Sequence, residues 1–128
     1  MKHSDLTARI IAICIEVHKE LGPGLLESIY EQAICLELAL AGLSFQRQQG
    51  IHVFYKGVDL DIGFRADVIV ENSVILEIKS IESIHPVHKK TVISYLRLAY
   101  IEVGLLINFN VVKLTDGITR LVQDKRKS

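Results

Sequence analysis

The segment at residues 65–80, RADVIVENSVILEIKS, limits the possible folds more than any other part of the chain. Two short apolar runs flank the polar residues 71–73, a pattern typical of a β-hairpin whose strands are buried. Three charged residues, Asp67, Glu77 and Lys79, interrupt these runs where packing normally requires apolar side chains. The segment therefore predicts a buried hairpin that carries two carboxylates and an ammonium group.

The length of the turn decides whether the two carboxylates meet. Side chains alternate between the two faces of a strand, so Glu77 and Lys79 share one face. We predict a three-residue loop at positions 71–73, which sets Asp67 directly opposite Glu77, with their Cβ atoms about 5 Å apart on one face. A two-residue loop shifts the register by one residue and turns the carboxylates to opposite faces.

Two facing carboxylates would suit a divalent metal ion. Their mutual repulsion raises one pKa when no counter-charge is present, and a hard cation that takes carboxylate oxygens removes the conflict. Lys79 would lie within about 7 Å of the pair, where its ammonium group can orient a water or neutralise charge in a transition state. The plainer alternative is a solvent-exposed hairpin in which Asp67 offsets the charge of Lys79 or Arg65.

The rest of the sequence predicts the element order ααβββαββ. Apolar residues at three- and four-residue steps predict a first helix that Ser4 or Asp5 can cap and that stops before GPG at 22–24. The second helix is predicted to bury the stripe Leu26, Ile29, Tyr30, Ala33, Leu36 and Leu40. A third helix opens at Pro86 and turns inward the residues Val87, Val92, Tyr95, Leu96 and Ala99. Strands are predicted within 45–64, 103–110 and 117–122.

Length and composition restrict the class of protein. The 128 residues, of which 49% are hydrophobic, suffice for one domain with one core. Cys14 and Cys35 stand alone in helical patterns, which is typical of buried thiols in a reducing compartment. No signal peptide and no run of about 18 apolar residues is recognisable, so we expect a cytoplasmic protein without a membrane span.

Several motifs, in this order, resemble those of the GxxExxY protein family, which is grouped with the PD-(D/E)xK nuclease superfamily. The signature GLLESIY occupies residues 24–30, and Asp67 followed by EIK at 77–79 resembles the nuclease motif, with Ala66 in place of its Pro. The resemblance continues through FRADVIV, VILEIKS, HKKTVISYLRL and GLLINFN, and it covers about residues 10–122.

The resemblance implies an α/β protein of the α+β sandwich type. Its restriction-endonuclease-like αβββαβ core has a mixed central sheet flanked by helices, with one extra N-terminal helix, in a single nuclease-like domain over residues 1–128. The implied activity is hydrolysis of phosphodiester bonds in DNA by an endonuclease or structure-selective nuclease. The resemblance assigns Glu27, Asp67 and Glu77 to a Mg²⁺ or Mn²⁺ ion, and it makes Lys79, with Asp67 and Glu77, catalytic.

Two residues keep other interpretations open. Glu27 lies in the first turn of its helix, where the helix dipole favours a negative charge without any metal. At the position of Thr91 the family tends to carry a Gln, and Thr is too short to span to a water or phosphate in the same way. A binding or scaffold protein that keeps the nuclease fold without turnover is therefore the alternative function.

The third helix offers the best candidate for a surface that contacts nucleic acid. The 15 basic and 15 acidic residues give a net charge of zero, so binding to DNA requires a local basic cluster. We expect that cluster at His88, Lys90 and Arg97, since Lys90 and Arg97 are seven residues apart and share one side of a helix. We also expect a homodimer, because one small domain offers limited surface to a duplex.

Overall fold

The structure, a computed structural model, describes residues 3–123. Its elements follow the predicted order, with a short 3₁₀ turn before the last strand. They are α1 (Ser4–Leu21), α2 (Glu27–Leu40), β1 (Phe45–Tyr55), β2 (Val58–Val70), β3 (Val74–Lys79), α3 (Pro86–Ala99), β4 (Val103–Asn108), the 3₁₀ turn (Leu114–Gly117) and β5 (Ile118–Val122).

One five-stranded sheet joins all the strands in the order β1-β2-β3-β4-β5. The pair β3–β4 is parallel and the other three pairs are antiparallel, so the sheet is mixed. The parallel pair requires a crossover, and α3 provides it. This arrangement of three helices and a mixed sheet confirms the restriction-endonuclease-like fold.

The sheet separates two apolar clusters. Leu76 of β3 packs in the cluster that α1 and α2 cover, together with Ile10 and Tyr30. Ile75, its neighbour in sequence, packs on the opposite face against Val92 of α3. Each fully buried Leu or Ile stabilises the fold by about 1.5–3 kcal/mol. Burial on both faces explains why β3 is almost wholly apolar, as the sequence of the hairpin predicts.

The inward stripe predicted for α2 is wrong at four positions, because Leu26, Ile29, Leu36 and Leu40 are exposed. The buried side of α2 is formed by Tyr30, Glu31, Ile34, Cys35 and Leu38. Apolar residues surround most of this helix, so periodicity alone does not select a face, and packing against α1 and the sheet selects it instead.

Val87 is also exposed, contrary to its predicted inward position on α3. At 100° per residue it lies about 140° around the helix from the buried Val92. Val92, Tyr95, Leu96 and Ala99 do pack against the sheet, as predicted.

None of the helices within residues 3–123 is long and apolar enough to cross a membrane.

Candidate active site

The turn between β2 and β3 has the length that brings the two carboxylates to the same level of the hairpin. Residues 71–73 form a three-residue loop, and Val70 pairs with Val74. Glu71 and Asn72 adopt left-handed backbone angles (φ 53° and 52°) that suit such a loop. The predicted register is therefore confirmed, and the two-residue alternative is excluded.

At Asp67 and Glu77 the hydrogen-bonded ladder between β2 and β3 opens. Its last pair is Val68 with Leu76. Beyond it, the amide of Asp67 donates to Glu77 Oε1 (3.2 Å), and the amide of Ile78 donates to Asp67 Oδ2 (2.8 Å). Each carboxylate thus binds the backbone of the opposite strand and replaces a ladder hydrogen bond. Asp67 and Glu77 lie in contact at the point where β2 and β3 separate. This part of the β2–β3 hairpin, residues 67–77, is called the forked hairpin below.

Burial makes this pair electrostatically unfavourable when both groups are ionised. Glu77 is 7% exposed, and burial followed by the charge of Asp67 raises its pKa to about 8. Burial also raises the pKa of Asp67, and the charges of Glu31 and Glu27 raise it further. The Ile78 amide and the Lys79 ammonium group oppose that change. A cation beside the pair would therefore favour the ionised forms of both carboxyl groups.

Lys79 lies at the end of β3, beside this pair. Its charge lowers the pKa of both carboxylates. The Phe109 amide donates to the Lys79 carbonyl (2.8 Å), and the buried Asn108 binds both the amide and the carbonyl of Ile81. These bonds fix the backbone at Lys79 and directly after it. The role of Asn108 was not predicted, although its place in an otherwise apolar strand is a usable signal.

Glu27 reaches the site from the first turn of α2. Its Oε2 accepts a hydrogen bond from the Ser80 amide (3.2 Å), directly after β3. An open cavity of about 270 Å³ is lined by Glu27, Asp67 and their neighbours Ser28, Glu31 and Gln48. The structure therefore places the helical acid and a strand carboxylate in the walls of one cavity.

The Gly and Tyr of the signature at 24–30 hold Glu27 in this place. The Tyr30 hydroxyl donates to the Gly22 carbonyl (2.6 Å) and accepts from the Leu25 amide (3.1 Å). Its ring stacks on Phe109, with centroids 4.4 Å apart. Gly24 adopts a φ of 87°, a backbone angle that glycine tolerates best. The signature therefore fixes the loop that starts α2.

Glu31, one turn after Glu27, is an acid that sequence reasoning did not assign to the site. It is only 5% exposed and accepts hydrogen bonds from Arg47 Nε and from Gln48 Nε2 of β1. Its spacing of four residues from Glu27 puts both acids on one side of α2. That spacing was the available signal, but the burial of Glu31 depends on how β1 packs against the helix.

The other side of the site is formed by Tyr95 of α3. Its ring stacks on Phe64, with centroids 4.0 Å apart. Burial, then the charges of Glu77 and Asp67, raise the pKa of its hydroxyl. The Thr91 hydroxyl, one turn earlier, donates to the Val87 carbonyl (2.9 Å) and not to the site.

Of the basic residues predicted on α3, Lys90 and Arg97 lie on a different side of the helix from Tyr95, and His88 binds the backbone at the start of the helix. His88 Nδ1 accepts a hydrogen bond from the His85 amide (2.9 Å), so this ring caps the helix. Lys90 and Arg97 are both exposed. Helical geometry puts them on one side, about 140–160° around α3 from Tyr95. Their contact with nucleic acid stays a prediction.

The acids suit a hard cation such as Mg²⁺, although no group of three or more His, Cys, Asp or Glu side chains within residues 3–123 forms a metal-binding cluster. Mg²⁺ is usually held by only one or two carboxylates, with waters and substrate phosphates as its other ligands. Asp67 and Glu77 meet that requirement, and burial raises the pKa of both carboxyl groups, so a cation beside them would favour their ionised forms. Glu27 lines one cavity with Asp67, and its part in holding an ion stays a prediction.

Comparison with known proteins gives one match. The family model of the PD-(D/E)XK nuclease superfamily matches residues 4–121, which is almost the whole chain. No match was found among the curated proteins or among the solved structures. The matched region contains the forked hairpin, the helical acid and Lys79. The chain belongs to the PD-(D/E)XK nuclease superfamily.

Proposed function

We propose that this protein is a Mg²⁺- or Mn²⁺-dependent nuclease that hydrolyses phosphodiester bonds in DNA. The observation that carries the proposal is the pair of buried carboxylates, Asp67 and Glu77, which meet where the ladder between β2 and β3 opens. A fold that only needed stability would gain little from two buried acids in contact, because burying like charges costs free energy. Membership of the nuclease superfamily supports the same reading.

In this proposal Glu27, Asp67 and Glu77 hold the ion. When bound, a divalent ion supplies a water of lowered pKa and offsets the negative charge of the phosphate. Asp67 and Glu77 are held in place before substrate arrives, because each binds the opposite strand. A bound ion would favour the ionised form of Glu77, whose pKa is raised to about 8 by burial and by Asp67.

Lys79 acts on the reacting groups in this proposal. It orients the attacking water and neutralises charge that develops on the phosphate in the transition state. Hydrogen bonds fix the backbone from which the Lys79 side chain extends, and its ammonium group lies close enough to both acids for its charge to lower their pKa values. Gly24, Glu27 and Tyr30 also support a finer assignment to the GxxExxY proteins within the superfamily.

A nuclease fold without turnover is the second candidate, and Thr91 is the observation that favours it. Its hydroxyl binds the helix backbone, so no carboxamide reaches the site from this position of α3. In that case the protein would bind nucleic acid or act as a scaffold. The two candidates differ in one respect that can be measured, which is hydrolysis.

The test is a cleavage assay on duplex, branched and single-stranded DNA and on RNA. We expect wild-type protein to cut DNA with Mg²⁺ or Mn²⁺ and to bind it with little or no turnover in Ca²⁺, which positions a water less well. Asp67→Asn is the matched control, because the amide keeps the shape of the side chain and removes the charge. Equal cleavage by wild type and Asp67→Asn would indicate a contaminant. Absence of cleavage from every substrate would establish the second candidate.

We further propose a homodimer in a reducing, cytoplasmic environment. The free, buried thiols of Cys14 and Cys35 support the compartment, and the small size of the domain supports two-fold assembly on duplex DNA. Light scattering should give twice the mass of the chain, and a monomer mass at all concentrations tested would refute the assembly.

A further inference from the structure

Gln48 has an unusual backbone conformation for a residue inside a strand. It lies in β1 with a φ of 54°, in the left-handed backbone region that residues other than glycine rarely adopt. The pairs on either side of it, Arg47 with Val68 and Gln49 with Ala66, keep the same register. No turn or register shift at this point requires the conformation. An outlier of this kind is a reason to look for function.

The conformation directs the Gln48 side chain to α2. Its Nε2 donates to Glu31 Oε1 (2.7 Å), and Arg47 holds the other oxygen of Glu31. Glu31 is buried, so the carboxylate is a fixed anchor for the amide group. The amide therefore has a defined orientation before any ligand binds.

The same amide lies next to the candidate active site. The register of β1 and β2 sets Gln48 opposite Asp67, and both residues line the cavity that also contains Glu27. The amide nitrogen of Gln48 is used in its hydrogen bond to Glu31, whereas Gln48 Oε1 accepts no hydrogen bond from the residues that the structure describes. A carboxamide oxygen in this position can accept a hydrogen bond from a water beside Asp67.

We propose that Gln48 Oε1 orients the water that attacks the phosphodiester. This inference rests on the proposed nuclease function and adds a residue that the superfamily motif does not contain. The water oxygen forms a bond to phosphorus, the bond to the leaving oxygen breaks, one proton of the water passes to solvent, and the leaving oxygen takes up a proton from solvent. Gln48 is neutral throughout and neither gains nor loses a proton. Glu31 and Arg47 act through it, as positioning residues.

The test separates orientation of the water from folding and from substrate binding. Gln48→Asn keeps an amide and tolerates the left-handed conformation, but it is one methylene shorter. Gln48→Gly tolerates the conformation equally well and has no amide. Asn72→Gly is the matched control, because it changes another exposed left-handed amide residue in the turn at 71–73.

We expect both Gln48 variants to lower kcat by about tenfold or more, the worth of one hydrogen bond in the transition state. The KM for DNA, and DNA binding in Ca²⁺ measured by fluorescence anisotropy, should change less than about twofold, since binding energy is retained. Asn72→Gly should match wild type in all three quantities.

Three outcomes would overturn the inference. If both Gln48 variants keep the wild-type kcat, the amide does not contact the water. If kcat falls only together with the melting temperature and the Ca²⁺-supported binding, Gln48 has a structural role. If the wild-type protein does not cut DNA in the same assay, the proposed function fails and the inference fails with it. In the first two outcomes the wild type is active, so there only the inference about Gln48 fails.

Discussion

Removing the buried charge of Glu77 should stabilise the metal-free protein, and by more as the pH rises. Glu77→Gln replaces a carboxyl group by a neutral amide of nearly the same shape. In the folded protein the pKa of Glu77 is raised to about 8 by burial and by Asp67, against an ordinary value of 4.5. A carboxyl with a raised pKa contributes stability below its unfolded pKa and loses that contribution as the pH rises through the folded pKa.

The size of the effect follows from the two pKa values. Each pH unit between them costs about 1.36 kcal/mol, because the unfolded chain releases the proton and the folded protein retains it. Between about pH 5.5 and about pH 9 this amounts to about 3 kcal/mol of unfolding free energy through this one group. Glu77→Gln lacks the titration, so its advantage over wild type should grow by about that amount across the range.

The measurement is urea denaturation in EDTA at several pH values, with the free energy of unfolding extrapolated to water. Glu82→Gln is the matched control: Glu82 is an exposed acid three residues beyond Lys79, and its removal should change stability by less than about 0.5 kcal/mol. Parallel pH profiles for wild type and Glu77→Gln would refute the reasoning, because they would show that Glu77 is ionised in the fold at no cost.

Three further predictions concern other parts of the molecule. Charge reversal at Lys90 and Arg97 should weaken binding to all DNA sequences alike and flatten its salt dependence, as phosphate contacts do; unchanged anisotropy titrations would place the DNA elsewhere. Tyr30→Phe keeps the stacked ring and removes two loop hydrogen bonds, so it should cost about 1–3 kcal/mol in urea denaturation; an unchanged midpoint would contradict this. Thr91→Gln puts a carboxamide one turn from Tyr95 and should raise the single-turnover cleavage rate by about two- to tenfold; an unchanged rate would show that this side of α3 does not reach the reacting groups.

The sequence was sufficient for the hairpin because its register depends on local features. The polar residues 71–73 set the length of the turn, and the length of the turn sets Asp67 level with Glu77. The element order was predictable for the same reason, since the apolar period changes between helices and strands. That the ladder opens at the two acids was not predictable, because it depends on side chains that bind the opposite backbone.

Features that depend on packing between distant segments were missed. Leu36 of α2 is exposed although periodicity predicts that it is buried, and the charged Glu31 is buried instead. The helix is apolar on most sides, so its neighbours decide which side is buried. Gln48 gave no signal in sequence, because its role depends on a left-handed backbone angle and on contact with α2. Helix α2 and strand β1 had to be placed together before either residue could be assigned.

The most direct test of the metal-dependent nuclease is to measure ion binding and cleavage rate in the same two variants. Lys79→Ala should bind Mn²⁺ as wild type does in calorimetric titration, and its rate of DNA cleavage should fall by about 10²-fold or more, because the ammonium group assists the water and does not hold the ion. Asp67→Asn should lose both Mn²⁺ binding and cleavage, because an amide cannot replace the anionic ligand. Wild-type ion binding and wild-type rates in both variants would contradict the account and place the activity outside the forked hairpin.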